Sequence, residues 1–389
     1  MTSNNHNTKI EKSQYIVSKY LKVAIVHDFL LYPGGAEKVL ADICKIFPDA
    51  PIYTLLYDKE RMGKHFSGKD IRTSFLQKYT GFVRRHYRWL LPFFGAAVES
   101  FDLRDFDLVI SSSGAWSKGI VTRLNTIHIA YIHSPMRYVW DENEHYLKKN
   151  THVKRGICAR TLLSYLRVWD HQAAQRPDVL IANSTYTKKR INKYYRRDAQ
   201  VVYPGVEIEA SIEASIEASK TKDYFLIISR LSEYKNVALA IGACNKLHLP
   251  LVVIGEGRQK EQLQKIAGET IHIKGWVSEE EKAQYLANAR ALLFPVEDDF
   301  GIVCVEALQT GIPIIALARG GAREIIDVGR TGEVFDAPTV EMLADAIRRF
   351  LEKEGTYDTN MIKRDGQKYS HKIFTQKLTD AIRETIKYE

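Results

Sequence analysis

Short apolar, β-branched runs recur along this chain, and stretches of helical periodicity follow most of them. In the first half the runs are Val23–Val26, Ile52–Leu55, Leu108–Ser112, His128–Ile132, Val179–Ala182 and Gln200–Tyr203. In the second half they are Tyr224–Ser229, Leu251–Gly255, Ile271–Lys274, Ala291–Pro295 and Ile314–Leu317. Near-continuous apolar runs bounded by turn residues read as strands buried on both faces. The segments between them are amphipathic. In Val340–Leu351, for example, Val340, Leu343, Ala344, Ile347, Phe350 and Leu351 fall on one face of a 3.6-residue helix. Strand and helix alternating over a whole chain imply parallel sheets covered by helices on both sides. Two such series predict an α/β protein made of two doubly wound, Rossmann-like domains.

The break between the series is visible. After Tyr203-Pro204-Gly205, the tetrad Ile-Glu-Ala-Ser occurs three times in tandem from Ile208 to Ser219. Ile208, Ile212 and Ile216 could make a docking stripe at helical spacing. Three isoleucines cannot make a core, so a tolerated expansion in an exposed linker is the simpler reading. The expected organisation is a polar extension (1–21), a first domain (22–205), a linker (206–222) and a second domain (223–370). A C-terminal helix (371–389) then packs back across the first domain.

The composition of 45% hydrophobic and 26% charged residues is that of an ordinary globular protein. The longest runs without Asp, Glu, Lys or Arg, Leu124–Met136 and Ala307–Ala318, fall short of the ~20 apolar residues that span a bilayer. The start, MTSNNHNTKIEKSQ, has no apolar h-region, which predicts a cytoplasmic protein. Cys44, Cys158, Cys244 and Cys304 are scattered and read as buried small hydrophobes, with no metal site expected. The net charge of +9 points to an anionic partner: nucleic acid, a phosphorylated small molecule or an acidic membrane surface.

Four motifs carry chemistry, each just after an expected strand. Gly34 and Gly35 precede a helix starting near Ala36; paired glycines allow close backbone approach, and a helix start attracts phosphate, though a plain turn would look the same. Arg230 and Lys235 follow Tyr224–Ser229, where a guanidinium and an ammonium could clamp a diphosphate or stand as solvated loop charges. In the third motif, Glu297-Asp298-Asp299 runs into Phe300-Gly301-Ile302 and a helix carrying Glu306. Its carboxylates and free N–H groups could grip sugar hydroxyls or phosphate, or simply complement the helix dipole. The fourth is Tyr131-Ile132-His133-Ser134-Pro135-Met136-Arg137, in which His133 could be a ligand, a base, a hydroxyl-orienting group or a satisfied loop histidine. Two motifs in each domain, all at strand C-terminal edges, suit a ligand held in a cleft between facing domains.

Weaker signals point elsewhere. Asp105-Phe106-Asp107 is a DxD, yet it precedes a strand rather than following one. Gly255-Glu256-Gly257 lacks the third glycine of a dinucleotide fingerprint. Trp276 could border a base pocket or belong to the core. Ile71–Val98 holds five Lys/Arg, no acid and seven aromatics, among them Arg84, Arg85, Arg88 and Trp89. Such interleaving suits anionic lipid headgroups, single-stranded nucleic acid, or a helix with core aromatics and solvated arginines.

The Gly34-Gly35-Ala36-Glu37 loop, His133, the Arg230/Lys235 pair and the Asp298/Phe300-Gly301/Glu306 block resemble the motif set of retaining family-four glycosyltransferases of the GT-B fold, over about residues 22–370. LVISSSGAWSKG, YIHSPMRYVWD, IANSTYTKKRI and GGAREII further resemble bacterial mannosyltransferases of O-antigen and exopolysaccharide assembly. The resemblance implies that Arg230 and Lys235 bind the donor diphosphate, that Gly34-Gly35 approaches it, and that Glu306 binds the ribose hydroxyls. It places the transferred sugar on Asp298 and the Phe300–Ile302 backbone, with His133 near the anomeric side. It implies retention without a metal or other cofactor, cations and helix dipoles stabilising the leaving group. The family usually has Glu at the position of Asp298, a departure of one methylene.

The resulting expectation is transfer of a hexose, mannose from GDP-mannose, to a lipid-linked saccharide acceptor in surface polysaccharide synthesis. The protein would sit peripherally on the anionic inner face of the cytoplasmic membrane, with Arg137, Arg84, Arg85, Arg88 and Trp89 on the acceptor or membrane side, and would bind no nucleic acid. The competing readings are a UDP-sugar donor, a GT-B-fold nucleotide-sugar epimerase and, more remotely, a non-catalytic nucleic-acid-binding protein.

Overall fold

The computed structural model describes residues 21–79, 87–141, 153–207 and 222–387. The Ile-Glu-Ala-Ser repeats, Arg84, Arg85 and the side chains of Arg88 and Trp89 lie outside the described residues. The chain divides into two compact units, Met1–Tyr203 with Phe374–Glu389, and Pro204–Ile373.

The first unit contains seven parallel strands: β1 (Val23–Leu30), β2 (Ile52–Tyr57), β3 (Ile71–Thr73), β4 (Leu108–Ser113), β5 (Ile127–Ile132), β6 (Val179–Ala182) and β7 (Gln200–Val201). Their order is β3-β2-β1-β4-β5-β6-β7. The order reverses between β1 and β4, where open parallel sheets bind ligands at their C-terminal edge. Successive side chains of β1 feed opposite cores, as the period of two requires. Val23 and Ile25 join Leu40, Ile43 and Phe374, whereas Ala24 and Val26 join Leu55, Trp116 and Leu166. Helices α1 (Gly35–Ile46), α2 (Val153–Ala173) and α3 (Thr185–Tyr195) cover the sheet.

The second unit holds six parallel strands: β8 (Tyr224–Ile228), β9 (Leu251–Ile254), β10 (Ile271–Gly275), β11 (Ala289–Phe294), β12 (Ile314–Leu317) and β13 (Gly332–Phe335), in the order β10-β9-β8-β11-β12-β13. Its switch point falls between β8 and β11. The principal helices here are α4 (Val237–Leu247), α5 (Glu279–Ala287), α6 (Ile302–Thr310) and α7 (Val340–Lys353). The last helix, α8 (His371–Lys387), returns to the first unit, where Phe374, Leu378, Ala381 and Ile382 are buried in its core. A fully buried Phe, Leu or Ile side chain contributes about 1.5–3 kcal/mol, so Phe374, Leu378 and Ile382 hold α8 firmly.

Several sequence expectations are corrected. β1 runs on to Leu30, so His27 and Asp28 lie inside the strand rather than after it. β3 and β13 were not anticipated; the first is only three residues long, and Gly332 opens the second. Ile71–Val98 is not one helix: it comprises β3, 3-10 turns at Phe75–Tyr79 and Tyr87–Phe93, and the start of a short helix at Phe94–Glu99. Pro92 helps prevent a continuous helix there.

Candidate active site

In the second unit, the loops after β8 and β11 are tied together. Asn236 takes a left-handed conformation (φ 54°) that ends the turn Glu233–Lys235 and begins α4. Its side-chain amide donates to the Pro295 carbonyl at 2.9 Å. Beside it, Lys235 Nζ lies 2.5 Å from Asp298 Oδ2, so the expected diphosphate cation and the expected sugar-binding carboxylate are ion-paired. Arg230 is exposed and forms no ion pair or side-chain hydrogen bond among the described residues.

Gly301 (φ 96°) caps α6, placing Ile302 at the first helical position and Phe300 just before it. Phe300 is buried, with its ring 5.8 Å from that of Tyr369. Glu306, one turn into α6, is also buried, and its Oε1 accepts from Lys282 Nζ at 2.9 Å. Sequence reasoning missed Lys282. It sits on α5 and bridges Glu306 to Glu279, and nothing in its local sequence marks it. Gly320 (φ 70°), which opens the GGAREII segment, was given no role of its own. A Cβ there would stand 2.3 Å from the Asp298 carbonyl oxygen. Gly321 N–H donates to that same oxygen at 2.9 Å, which fixes the acidic loop from behind.

The first unit gathers its residues at the C-terminal ends of β1, β4 and β5. The Asp28 carboxylate accepts from the backbone N–H groups of Gly114 (2.9 Å), Trp116 (3.0 Å) and Ser117 (2.6 Å) and so anchors the loop after β4. His133 stands just past β5, with Nε2 2.8 Å from the Ser112 hydroxyl. That hydroxyl is also 3.0 Å from His27 Nδ1. Burial, with His27 adding to it, pushes the His133 pKa down to about 3, so the ring is neutral near pH 7. Gly34 precedes α1 in extended backbone and Gly35 is its first residue; a Cβ on Gly34 would meet Glu37 Oε2 at 2.8 Å.

Arg137 opens the short helix Arg137–Trp140. The loop before it is held by Arg190 of α3, which donates to Ser134 Oγ at 2.8 Å and pairs with Asp141. Arg190 is another anchor not foreseen, because a basic helix residue ordinarily reads as solvated. Deeper in the unit, fully buried Lys118 pairs with fully buried Asp170 at 2.5 Å. Asp170 also accepts from Trp140 Nε1 (2.8 Å) and the Tyr195 hydroxyl (2.9 Å).

The remaining motifs separate cleanly. Asp107 of the DxD accepts from the Lys22 backbone N–H at 2.8 Å, a structural role at the N-terminal side of β4. Trp276 is 77% exposed just past β10, which excludes the core reading. Cys44, Cys244 and Cys304 are buried free thiols whose pKa values burial raises, to about 12 for the first two. Among the described residues no helix is long and apolar enough to cross a membrane.

Residues 33–210 match the model of Glycosyltransferase Family 4, and residues 209–368 match that of Glycosyl transferases group 1. A D-inositol 3-phosphate glycosyltransferase of a Nocardioides species is 25% identical over 227 residues, 49% of this chain and 50% of that protein. A GDP-mannose-dependent α-(1-6)-phosphatidylinositol monomannoside mannosyltransferase of Mycobacterium tuberculosis is 29% identical over 202 residues, 45% of this chain and 52% of that protein. The matched region thus spans about half the length of each. The crystal structure of Anabaena Alr3699/HepE with UDP and glucose superposes with a TM-score of 0.67 at 18% identity, over 94% of this chain and 100% of that one. That likeness gives the fold, two Rossmann-like domains of the GT-B type. The two family models together account for residues 33–368, one in each half, and the chain belongs to the glycosyltransferases.

Proposed function

We propose that the protein transfers a hexose from a nucleotide sugar, with retention, to a lipid-linked saccharide acceptor, and that the donor is GDP-mannose. The observation that carries this reading is the coupled set in the second unit: Lys235 on Asp298 beside the N-terminus of α6, and Glu306 one turn further in. A cation, an exposed guanidinium at Arg230 and a helix N-terminus suit a diphosphate. Buried and half-buried carboxylates suit the hydroxyls of ribose and hexose. The mycobacterial relative, a GDP-mannose-dependent phosphatidylinositol monomannoside mannosyltransferase, supports the mannosyl and lipid parts. The Anabaena protein was solved with UDP and glucose, and its likeness favours a second reading in which the donor is a UDP-sugar.

On this proposal Arg230 and Lys235 offset the charge that develops on the departing diphosphate, the part a metal plays in other transferases. The reaction is then independent of added metal, and a chelator leaves its rate unchanged. Phe75, Lys78, Tyr79 and Phe93 are each exposed, and aromatic and cationic groups of this kind suit anionic headgroups, which supports a peripheral position on the inner membrane face.

The test is incubation of purified protein with GDP- and UDP-sugars and lipid-linked acceptors, with anomeric configuration read by NMR. Transfer from GDP-mannose with retention is expected. Donor conversion without acceptor would instead indicate an epimerase, and a UDP-sugar preference would remove the mannosyl part alone. No turnover of any donor, together with salt-dependent oligonucleotide binding, would overturn the proposal. Sedimentation with anionic but not neutral vesicles tests the membrane part.

A further inference from the structure

The Ser112 hydroxyl stands between two imidazoles, 3.0 Å from Nδ1 of His27 and 2.8 Å from Nε2 of His133. It has a single proton, so it donates to one ring and accepts from the other. On its far side His27 presents Nε2 to Glu37 Oε1 at 3.5 Å. An ionised carboxylate only accepts, which favours the proton of a neutral His27 on Nε2. His27 Nδ1 then accepts from Ser112, and the Ser112 oxygen in turn accepts from His133. With His27 carrying one ring proton, the direction of every bond follows from the carboxylate at the end of the row.

We propose that Glu37, His27 and Ser112 form a hydrogen-bonded chain that fixes His133 as its Nε2–H tautomer and presents a bare Nδ1 to a sugar hydroxyl. This rests on the proposed glycosyl transfer and on the family resemblance, which implies that His133 stands near the anomeric side of the transferred sugar. Among the described residues nothing hydrogen-bonds His133 Nδ1. His27 is buried, and β1 and β4 pair in register with His27 directly opposite Ser112, while Glu37 lies in the first turn of α1 and His133 just past β5. The centre of the row is therefore built into the sheet.

The tautomer matters because glycosyl transfer passes through positive charge at the anomeric carbon. A nitrogen lone pair at Nδ1 accepts from a hydroxyl of the donor sugar and turns the negative end of the ring dipole toward that charge. The opposite tautomer would point an N–H at it. Ser112, His27 and Glu37 act through His133 and are positioning residues.

The experiment uses full-length protein labelled with 15N-histidine and no substrate, the His133 signals being assigned by their absence in His133→Asn. The two ring-nitrogen shifts report the tautomer. Wild-type His133 is expected wholly as Nε2–H, and Ser112→Ala and Glu37→Gln are expected to give a mixture. In the transfer assay Ser112→Ala should lower kcat/KM by about ten- to a hundred-fold, with recovery in Ser112→Thr. Wild-type His133 found as Nδ1–H, or a tautomer unchanged in both variants, overturns the proposal. Should Ser112→Ala not fold, Glu37→Gln, at a partly exposed helix start, still decides. If wild type transfers no sugar, the functional reading fails while the spectra still judge the chain.

Discussion

Lys235 Nζ and Asp298 Oδ2 lie 2.5 Å apart, so two residues 63 positions apart in sequence form one electrostatic unit at the switch point between β8 and β11. The pair holds the ammonium in place before any ligand arrives. A preorganised cation stabilises developing charge without reorganising when the bond breaks.

Removing that cation should be costly to turnover. Lys235→Ala is expected to lower kcat/KM by about 10²–10³, the loss typical of deleting one charge-stabilising donor. Asp298→Glu, which keeps the charge and adds one methylene, should retain more activity than Asp298→Asn. Steady-state kinetics with the preferred nucleotide sugar measure both. Full activity in Lys235→Ala would remove the diphosphate clamp from the mechanism.

Gly320 sets the back wall of the acidic loop. Alanine there would strain a φ of 70° and drive Cβ to 2.3 Å from the Asp298 carbonyl oxygen, backbone that cannot swing aside. We expect Gly320→Ala to cost about 1–3 kcal/mol in denaturant unfolding and to reduce donor turnover. Gly355→Ala, with open space around it, serves as the control.

What was legible in the sequence follows from periodicity and local chemistry. The strand runs are apolar because both sheet faces are covered, so most strands and the doubly wound class could be read directly. The motif loops were found because strand ends, paired glycines and acidic runs are local patterns. Lys282, Arg190 and Asp28 were not given their roles, because each acts on a residue distant in sequence. Asp28 carries no local signal just past the apolar run Val23–Val26, yet it anchors residues 114–117. Ser112 was read only as the last residue of a strand, and a serine there does not show that two histidines will meet on it.

Two histidines should make the fold acid-sensitive. Burial lowers the pKa of both His128 and His133 to about 3, against an ordinary value near 6.5. The unfolded chain therefore takes up these protons first as pH falls. The associated stability is complete above about pH 6.5 and declines from there toward pH 3. For fully buried His128 the loss at pH 5 is about 2 kcal/mol. Urea midpoints measured from pH 7.5 to 5 should fall, and His128→Gln should flatten the slope. A midpoint that rises on acidification would contradict the assignment.

Lys118 and Asp170 are the most consequential buried pair in the first unit, both side chains being almost completely enclosed. Asp170 also carries the hydroxyl of Tyr195 and the indole of Trp140, while Lys118 Nζ donates to the Ala115 carbonyl. Removing one partner leaves an uncompensated charge, so Asp170→Ala should destabilise the protein by about 3–5 kcal/mol. Replacing both, as Lys118→Met with Asp170→Leu, removes the charges together and should recover a large part of that loss. The indole and the Tyr195 hydroxyl would still lack an acceptor, at about 1–3 kcal/mol each. Denaturant unfolding of the two single variants and the double variant gives the coupling. Strictly additive losses would mean that the pair contributes nothing beyond its separate members.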